Sequence, residues 1–126
     1  MEMFKRVDFK KEAIILKALG DAKRLQILNL IVEGTQCNCD FCDILNLQPN
    51  LVSHHLRILK NAGLVEINKD PIDSRWIYYS INSQTFDVLQ KYFNEFFNLN
   101  RIRPRQATCG PQSSLSIINE LSSQTQ

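Results

Sequence analysis

The sequence has no apolar run long enough to span a bilayer. Its first residues mix Lys5, Lys10 and Lys11 with acidic side chains and lack the apolar centre of a signal peptide. We therefore expect a cytoplasmic protein that does not contact membranes. The 126 residues suffice for one folded unit with its own core, which we place at 1–100, followed by a tail at 101–126 that is partly helical or mobile.

The sequence also has little excess charge of either sign and few histidines. A net charge of +2 does not by itself indicate a nucleic-acid-binding protein, so any contact with DNA depends on where the basic side chains lie. The two histidines, His54 and His55, are adjacent in one predicted helix, and no base is placed to activate a nucleophile. The sequence therefore predicts a protein that is not an enzyme.

Cysteine is present, and it is unevenly distributed. Cys37, Cys39 and Cys42 lie within six residues of a polar segment, whereas Cys109 stands alone in the tail. In a reducing compartment such a group indicates metal ligands or redox thiols rather than a disulfide framework or core filling. Cys39 and Cys42 also form a C-x-x-C pair, but helices precede it and a hairpin follows, so the thioredoxin-like βαβ context is lacking.

Apolar periodicity predicts a mainly helical chain with one β-hairpin. The predicted elements are helices at about Phe9 to Leu19, Asp21 to Glu33, Asp40 to Leu47, Pro49 to Ala62 and Gln84 to Leu99, and a hairpin between Leu64 and Ile81. The first and last helices are apolar on too many sides for surface helices, which predicts a partner subunit.

Two helices joined by a tight turn and followed by a hairpin are typical of a winged helix-turn-helix, in which the second helix enters the DNA major groove. Predicted base contacts at its N-terminal end are Gln48, Asn50, Ser53, His54 and Arg57, and predicted phosphate contacts are Lys60, Lys69 and Arg75. The alternative is that these side chains are only the solvated face of a core helix. His55 falls beside the apolar stripe and is expected to be partly buried and bonded to backbone.

The segments KALGDAKRLQILNLI, CNCDFCDIL, NLVSHHLRILKNAGLV and DSRWIYYSI resemble the ArsR/SmtB family of metal-responsive winged-helix repressors. The resemblance extends from about Leu19 to Ile81. It implies a homodimer, with the first and last helices at the interface, that binds an inverted repeat in double-stranded DNA. It also implies that the dimer leaves this operator when an inducer binds.

The cysteine motif resembles one inducer site of that family. Cys37, Cys39 and Cys42 look like the third-helix site of sensors that bind As(III) or Sb(III) through three thiolates. No histidine occurs between Gln84 and Leu99, so the zinc or nickel site of the last helix is absent. No cysteine precedes Cys37, so the additional N-terminal thiol of cadmium and lead sensors is absent too. Gln48 is a poor helix cap, and we expect Asn50 to cap the recognition helix instead.

The spacing has consequences for ion binding. Cys39 and Cys42 share a helix face whereas Cys37 precedes the regular helix, so closing all three onto one centre should distort the first turn. The helix N-terminus is expected to lower the pKa of these thiols. Two alternatives stay open. One is a Cd(II), Pb(II) or Zn(II) site with Cys109 or Asp40 as fourth ligand, and the other is a redox or persulfide switch on the same repressor.

Overall fold

A computed structural model describes residues 8–35, 37–105 and 110. Its elements are α1 (Lys10–Leu19), α2 (Ala22–Val32), α3 (Asn38–Leu45), α4 (Pro49–Asn61), β1 (Val65–Lys69), β2 (Ile77–Ile81), α5 (Ser83–Phe96) and a 3-10 turn (Leu99–Arg101). The predicted element order and fold class are confirmed. Most of the predicted tail, with Cys109, lies outside the described residues. None of the described helices is long and apolar enough to cross a membrane.

Local chemistry explains where the elements begin and turn. Asp21 caps α2, because its Oδ1 accepts from the backbone N–H of Lys23 at 2.9 Å and of Arg24 at 3.2 Å. The bond from Arg24 is the main reason that the pKa of Asp21 is lowered. After α4, Gly63 adopts φ 81°, a left-handed conformation that only glycine adopts without strain, and the chain turns there into β1.

The core lies between α2, α3, α4 and the hairpin, where β1 and β2 pair antiparallel with Val65 opposite Ile81. Its fully buried large side chains are Ile27, Phe41, Val52, Leu56, Leu59 and Leu64. The Phe41 ring meets the Tyr79 ring of β2 edge-on, with centroids 6.1 Å apart. Phe41 therefore anchors the middle of α3 between α4 and the hairpin, with the cysteines on either side of it in sequence.

Arg24 connects three helices through one guanidinium. Its Nε donates to the carbonyl of Ala18 at 2.6 Å, at the end of α1, and its Nη1 lies 3.3 Å from Nδ1 of His55 on α4. Because arginine only donates, Nδ1 of His55 accepts and the ring proton resides on Nε2. Burial lowers the pKa of His55. The predicted burial of His55 is confirmed, but its partner is this guanidinium rather than backbone.

Candidate functional site

The three clustered cysteines surround the N-terminal turns of α3. Cys37 is the N-cap residue with extended backbone, Cys39 is exposed in the first turn, and Cys42 is half-buried one turn later. All three are free thiols. Within residues 8–35 and 37–105, no three Cys, His, Asp or Glu side chains are already gathered around a common point. Binding one ion through all three thiols therefore requires these side chains to move from the positions they have here.

The residues fit a soft ion in chemical type and access. Three free thiols within one short segment match the preference of soft metal and metalloid ions for sulfur. Asp40 is exposed in the same first turn and offers an oxygen donor as a fourth ligand. The other predicted fourth ligand, Cys109, lies outside the described residues.

The predicted lowering of the thiol pKa values is wrong for two of the cysteines. Burial raises the pKa of Cys37, and the carboxylate of Asp40 raises it further. Burial likewise raises the pKa of Cys42, with an added contribution from Asp43. Desolvation and nearby carboxylates disfavour both thiolates, so both sulfurs carry protons at neutral pH and lose them on ion binding.

Asn38 lies between the first two cysteines and joins residues 37–42, the thiol segment, to the recognition helix α4. Its Nδ2 donates to Oγ of Ser53 on α4 at 3.1 Å, and its Oδ1 accepts from Sγ of Cys42 at 3.3 Å. A hydrogen bond from Asn38 also offsets part of the rise in pKa that burial imposes on Tyr79. Sequence reasoning missed Asn38, although its i, i+4 spacing to Cys42 was a signal that both side chains share a helix face.

One cavity lies between the thiol segment, α4 and the wing, which is the hairpin of β1 and β2. Its lining residues are Cys37, Asn38, Cys39, Ser53, Arg75, Trp76, Ile77 and Tyr79. Trp76, whose side chain is 54% exposed, is the only tryptophan in the chain. Because Trp76 lines the same cavity as Cys37 and Cys39, we expect its fluorescence to change when an ion binds there.

The recognition helix α4 has the two faces that its sequence predicts. Its apolar face is buried at Val52, His55, Leu56 and Leu59, and its exposed polar residues include Asn50, His54, Arg57 and Lys60. Gln48 is the N-cap residue and makes no side-chain cap bond. The prediction that Asn50 caps the helix is wrong, because Pro49 already begins the helix and Asn50 lies within it. Ser53 is half-buried and turned toward α3.

The wing carries the remaining predicted DNA contacts. Lys69 is exposed at the end of β1. Arg75 is also exposed, but it donates to Asp73 from Nε at 3.0 Å and from Nη2 at 2.8 Å. Exposed ion pairs contribute little stability, so a DNA phosphate can replace Asp73 as the partner of Arg75. The wing turn is fixed by Asp70, which accepts from Tyr78 Oη at 3.1 Å and from two backbone N–H groups.

The fold and the exposed face of α4 define a winged helix-turn-helix DNA-binding protein. Residues 21–66 match the family model described as bacterial regulatory protein, arsR family. An arsenical resistance operon repressor of Staphylococcus aureus is 31% identical over 103 residues, which cover 82% of this chain and 90% of that protein. The chain belongs to the arsR family of bacterial regulatory proteins, and it is a transcriptional regulator rather than an enzyme.

Two further similarities concern ion specificity and assembly. A CadC homolog of Staphylococcus aureus, a cadmium resistance transcriptional regulatory protein, is 36% identical over 73 residues, which cover 57% of this chain and 58% of that protein. The homodimeric winged helix-turn-helix domain Mb0332 of Mycobacterium bovis, a possible ArsR-family regulator, is 25% identical with a TM-score of 0.54. That match covers 80% of this chain and 99% of the Mb0332 domain.

Proposed function

We propose that this regulator is a homodimeric repressor that binds an inverted-repeat operator and leaves it when As(III) or Sb(III) binds Cys37, Cys39 and Cys42. The observation that carries the proposal is the hydrogen bond between Asn38, inside the thiol segment, and Ser53 on the recognition helix. The similarity to an arsenical resistance operon repressor over most of both chains supports the choice of ion.

Operator binding follows from the exposed face of α4. Asn50, His54 and Arg57 would meet base edges when the N-terminal end of α4 enters the major groove, and Gln48 would lie at the entry. Lys60 and Lys69 would neutralise phosphates, which contributes affinity that depends on salt but not on sequence.

Assembly would bury apolar surface that one chain leaves open. Ile14 on α1 and Val88 on α5 are 59% and 63% exposed, and α5 contains no buried residue. A second copy packed on these helices would cover that surface and place two recognition helices about a two-fold axis. Such a dimer matches an inverted-repeat operator, whose half-sites obey the same symmetry.

Release requires the thiol site and the DNA site to disfavour each other. Coupling free energies between sites are typically about 1–3 kcal/mol, which corresponds to roughly 5- to 150-fold in operator affinity. Gathering three thiols would reshape the first turn of α3, and Asn38 lies in that turn. Its contact with Ser53 provides a direct route to α4.

A divalent-ion sensor is the second candidate. The similarity to a cadmium resistance regulator favours it, and the exposed carboxylate of Asp40 provides a fourth donor beside the thiols. In this alternative Cd(II), Pb(II) or Zn(II) replaces the trivalent metalloid, and Asp40 or Cys109 completes the coordination.

The proposal is tested by fluorescence anisotropy of the reduced, full-length protein on a labelled inverted-repeat DNA fragment from upstream of its own gene. As(III), Sb(III), Cd(II), Pb(II) and Zn(II) are titrated in parallel. We expect As(III) and Sb(III) to release the DNA and the divalent ions to leave it bound. Release by the divalent ions alone would support the second candidate. Failure to bind the fragment specifically would contradict both.

Substitution of Arg57 tests the DNA side of the proposal. Arg57→Ala should weaken operator binding by roughly 5- to 150-fold for each half-site, the range for losing one specific base contact, and bring operator affinity closer to that for random DNA. Affinity for As(III), followed by Trp76 fluorescence, should not change. Lys60→Ala is the matched control, because losing a phosphate contact should weaken binding to both DNAs equally and reduce the salt dependence. Unchanged operator affinity in Arg57→Ala would exclude a base contact by this residue.

A further inference from the structure

We propose that the side-chain amide of Asn38 rotates when Cys42 becomes a ligand, so that Oδ1 and Nδ2 exchange places. After this reversal the hydroxyl hydrogen of Ser53 is donated to Asn38 and no longer to DNA. The inference rests on the proposed function and names the positioning residue through which the thiol site would act on the recognition helix. Asn38 itself touches neither DNA nor the bound ion in this scheme.

In the protein without ion, the amide oxygen of Asn38 faces the thiol of Cys42. The S–H group donates to Oδ1 of Asn38, which leaves Nδ2 to donate to Oγ of Ser53 and to interact with the hydroxyl of Tyr79. Oγ of Ser53 is then an acceptor toward α3, so its own hydrogen is free. Ser53 is half-buried but lines the cavity beside Arg75, so in this scheme that hydrogen is donated there to a DNA phosphate.

Ligation changes Cys42 from a partner that donates to the amide into one that can only accept. As Cys42 takes up As(OH)₃, an As–S bond replaces an As–O bond, and the S–H proton leaves with that hydroxyl group as water. No oxidation state changes. The ligated sulfur has no hydrogen to donate to Oδ1 of Asn38 but still accepts from an N–H group. The favourable orientation of the amide is then the opposite one, with Nδ2 toward Cys42.

The other two partners allow this reversal without a lost hydrogen bond. Hydroxyl groups both donate and accept, so Ser53 and Tyr79 can turn from acceptors to donors when Oδ1 of Asn38 faces them. Ser53 then donates its hydrogen to Asn38 and has none for DNA. The site thus converts a change at one sulfur into a change of donor and acceptor roles on α4.

A double-mutant cycle tests the inference. The measured quantity is the release factor, the ratio of operator Kd with and without saturating As(III), for wild type, Asn38→Ala, Ser53→Ala and the double variant. We expect the release factor of each single variant to be about tenfold lower than that of wild type. The release factor of the double variant should be no lower than that of either single variant. Binding of As(III), followed by Trp76 fluorescence, should stay within about threefold of wild type in every variant, because the thiols are intact.

Asn29→Ala is the matched control, since it truncates an exposed amide on α2 that donates to Glu33, the residue that ends the same helix. Its release factor should equal that of wild type. Full release factors in both single variants, or losses that multiply in the double variant, would overturn the inference. If thermal unfolding shows that Asn38→Ala is not folded, Ser53→Ala decides alone, with a full release factor as the contradicting result. A wild-type protein that As(III) does not release would instead contradict the proposed function.

Discussion

Cys39→Ser should hold the operator as tightly as wild type and no longer release it on addition of As(III). The side chain of Cys39 is exposed, so exchanging sulfur for oxygen disturbs no core packing. A hydroxyl group is a hard, neutral donor and a poor ligand for a soft ion. We expect operator affinity within about threefold of wild type, the range of a neutral surface substitution, and a release factor of about one. Anisotropy on the operator fragment measures both.

Cys37→Ser and Cys42→Ser should give the same result through different local chemistry. The hydroxyl of a serine at position 42 can still donate to Oδ1 of Asn38, so the free protein keeps the hydrogen bond that Cys42 makes. Cys37 is the N-cap residue of α3, and serine is a better cap than cysteine, so the helix should be preserved. Loss of operator binding by all three serine variants would make the cysteines structural and contradict the mechanism.

Cys109→Ser is the matched control for this series. It removes the one cysteine outside the cluster and should leave release by As(III) unchanged if three thiolates suffice. If instead divalent ions release the wild type and Cys109→Ser abolishes that response, the four-ligand alternative is correct. The same set of variants thus separates a trivalent metalloid from a divalent metal.

The sequence predicted the helices, the wing and the two faces of α4 because these depend on local order. Apolar residues at helical spacing place Val52, Leu56 and Leu59 on the buried face, and Gly63 marks the turn into the wing. Burial of His55 followed from its position beside that stripe. The first turn of α4 was harder to predict, because the sequence allows the helix to begin at Pro49 or after Asn50. Only the backbone conformation shows that it begins at Pro49.

The properties of the thiol site depend on contacts between elements, which spacing along the chain does not reveal. Burial is the main cause that raises the pKa of Cys37 and Cys42. The bond from Asn38 to Ser53 joins residues 15 apart in sequence. The ion pair between Arg75 and Asp73 was not predicted either, because both residues lie in a turn whose backbone conformation the sequence does not define. The metal-binding and DNA-binding roles of these residues stay predictions.

Val88→Glu should convert the proposed homodimer to monomers and reduce operator affinity by about a hundredfold, the effect of losing one of two linked binding sites. Val88 is 63% exposed on α5, among apolar side chains that one chain leaves uncovered. If this face meets its symmetry mate, the substitution places an unpaired carboxylate in the interface from each copy, so the desolvation cost is incurred twice. Sedimentation velocity measures the assembly, and anisotropy measures operator binding.

Gln90→Glu is the matched control, because it adds the same charge to the same helix two residues later. Two residues of a helix correspond to a rotation of about 200°, which places Gln90 on the side of α5 opposite Val88. This variant should remain dimeric and bind the operator. A dimeric Val88→Glu protein with normal operator affinity would exclude this face of α5 as the interface. A monomeric Val88→Glu protein with unchanged operator affinity would mean that one recognition helix suffices, and the inverted repeat would then have no part in binding.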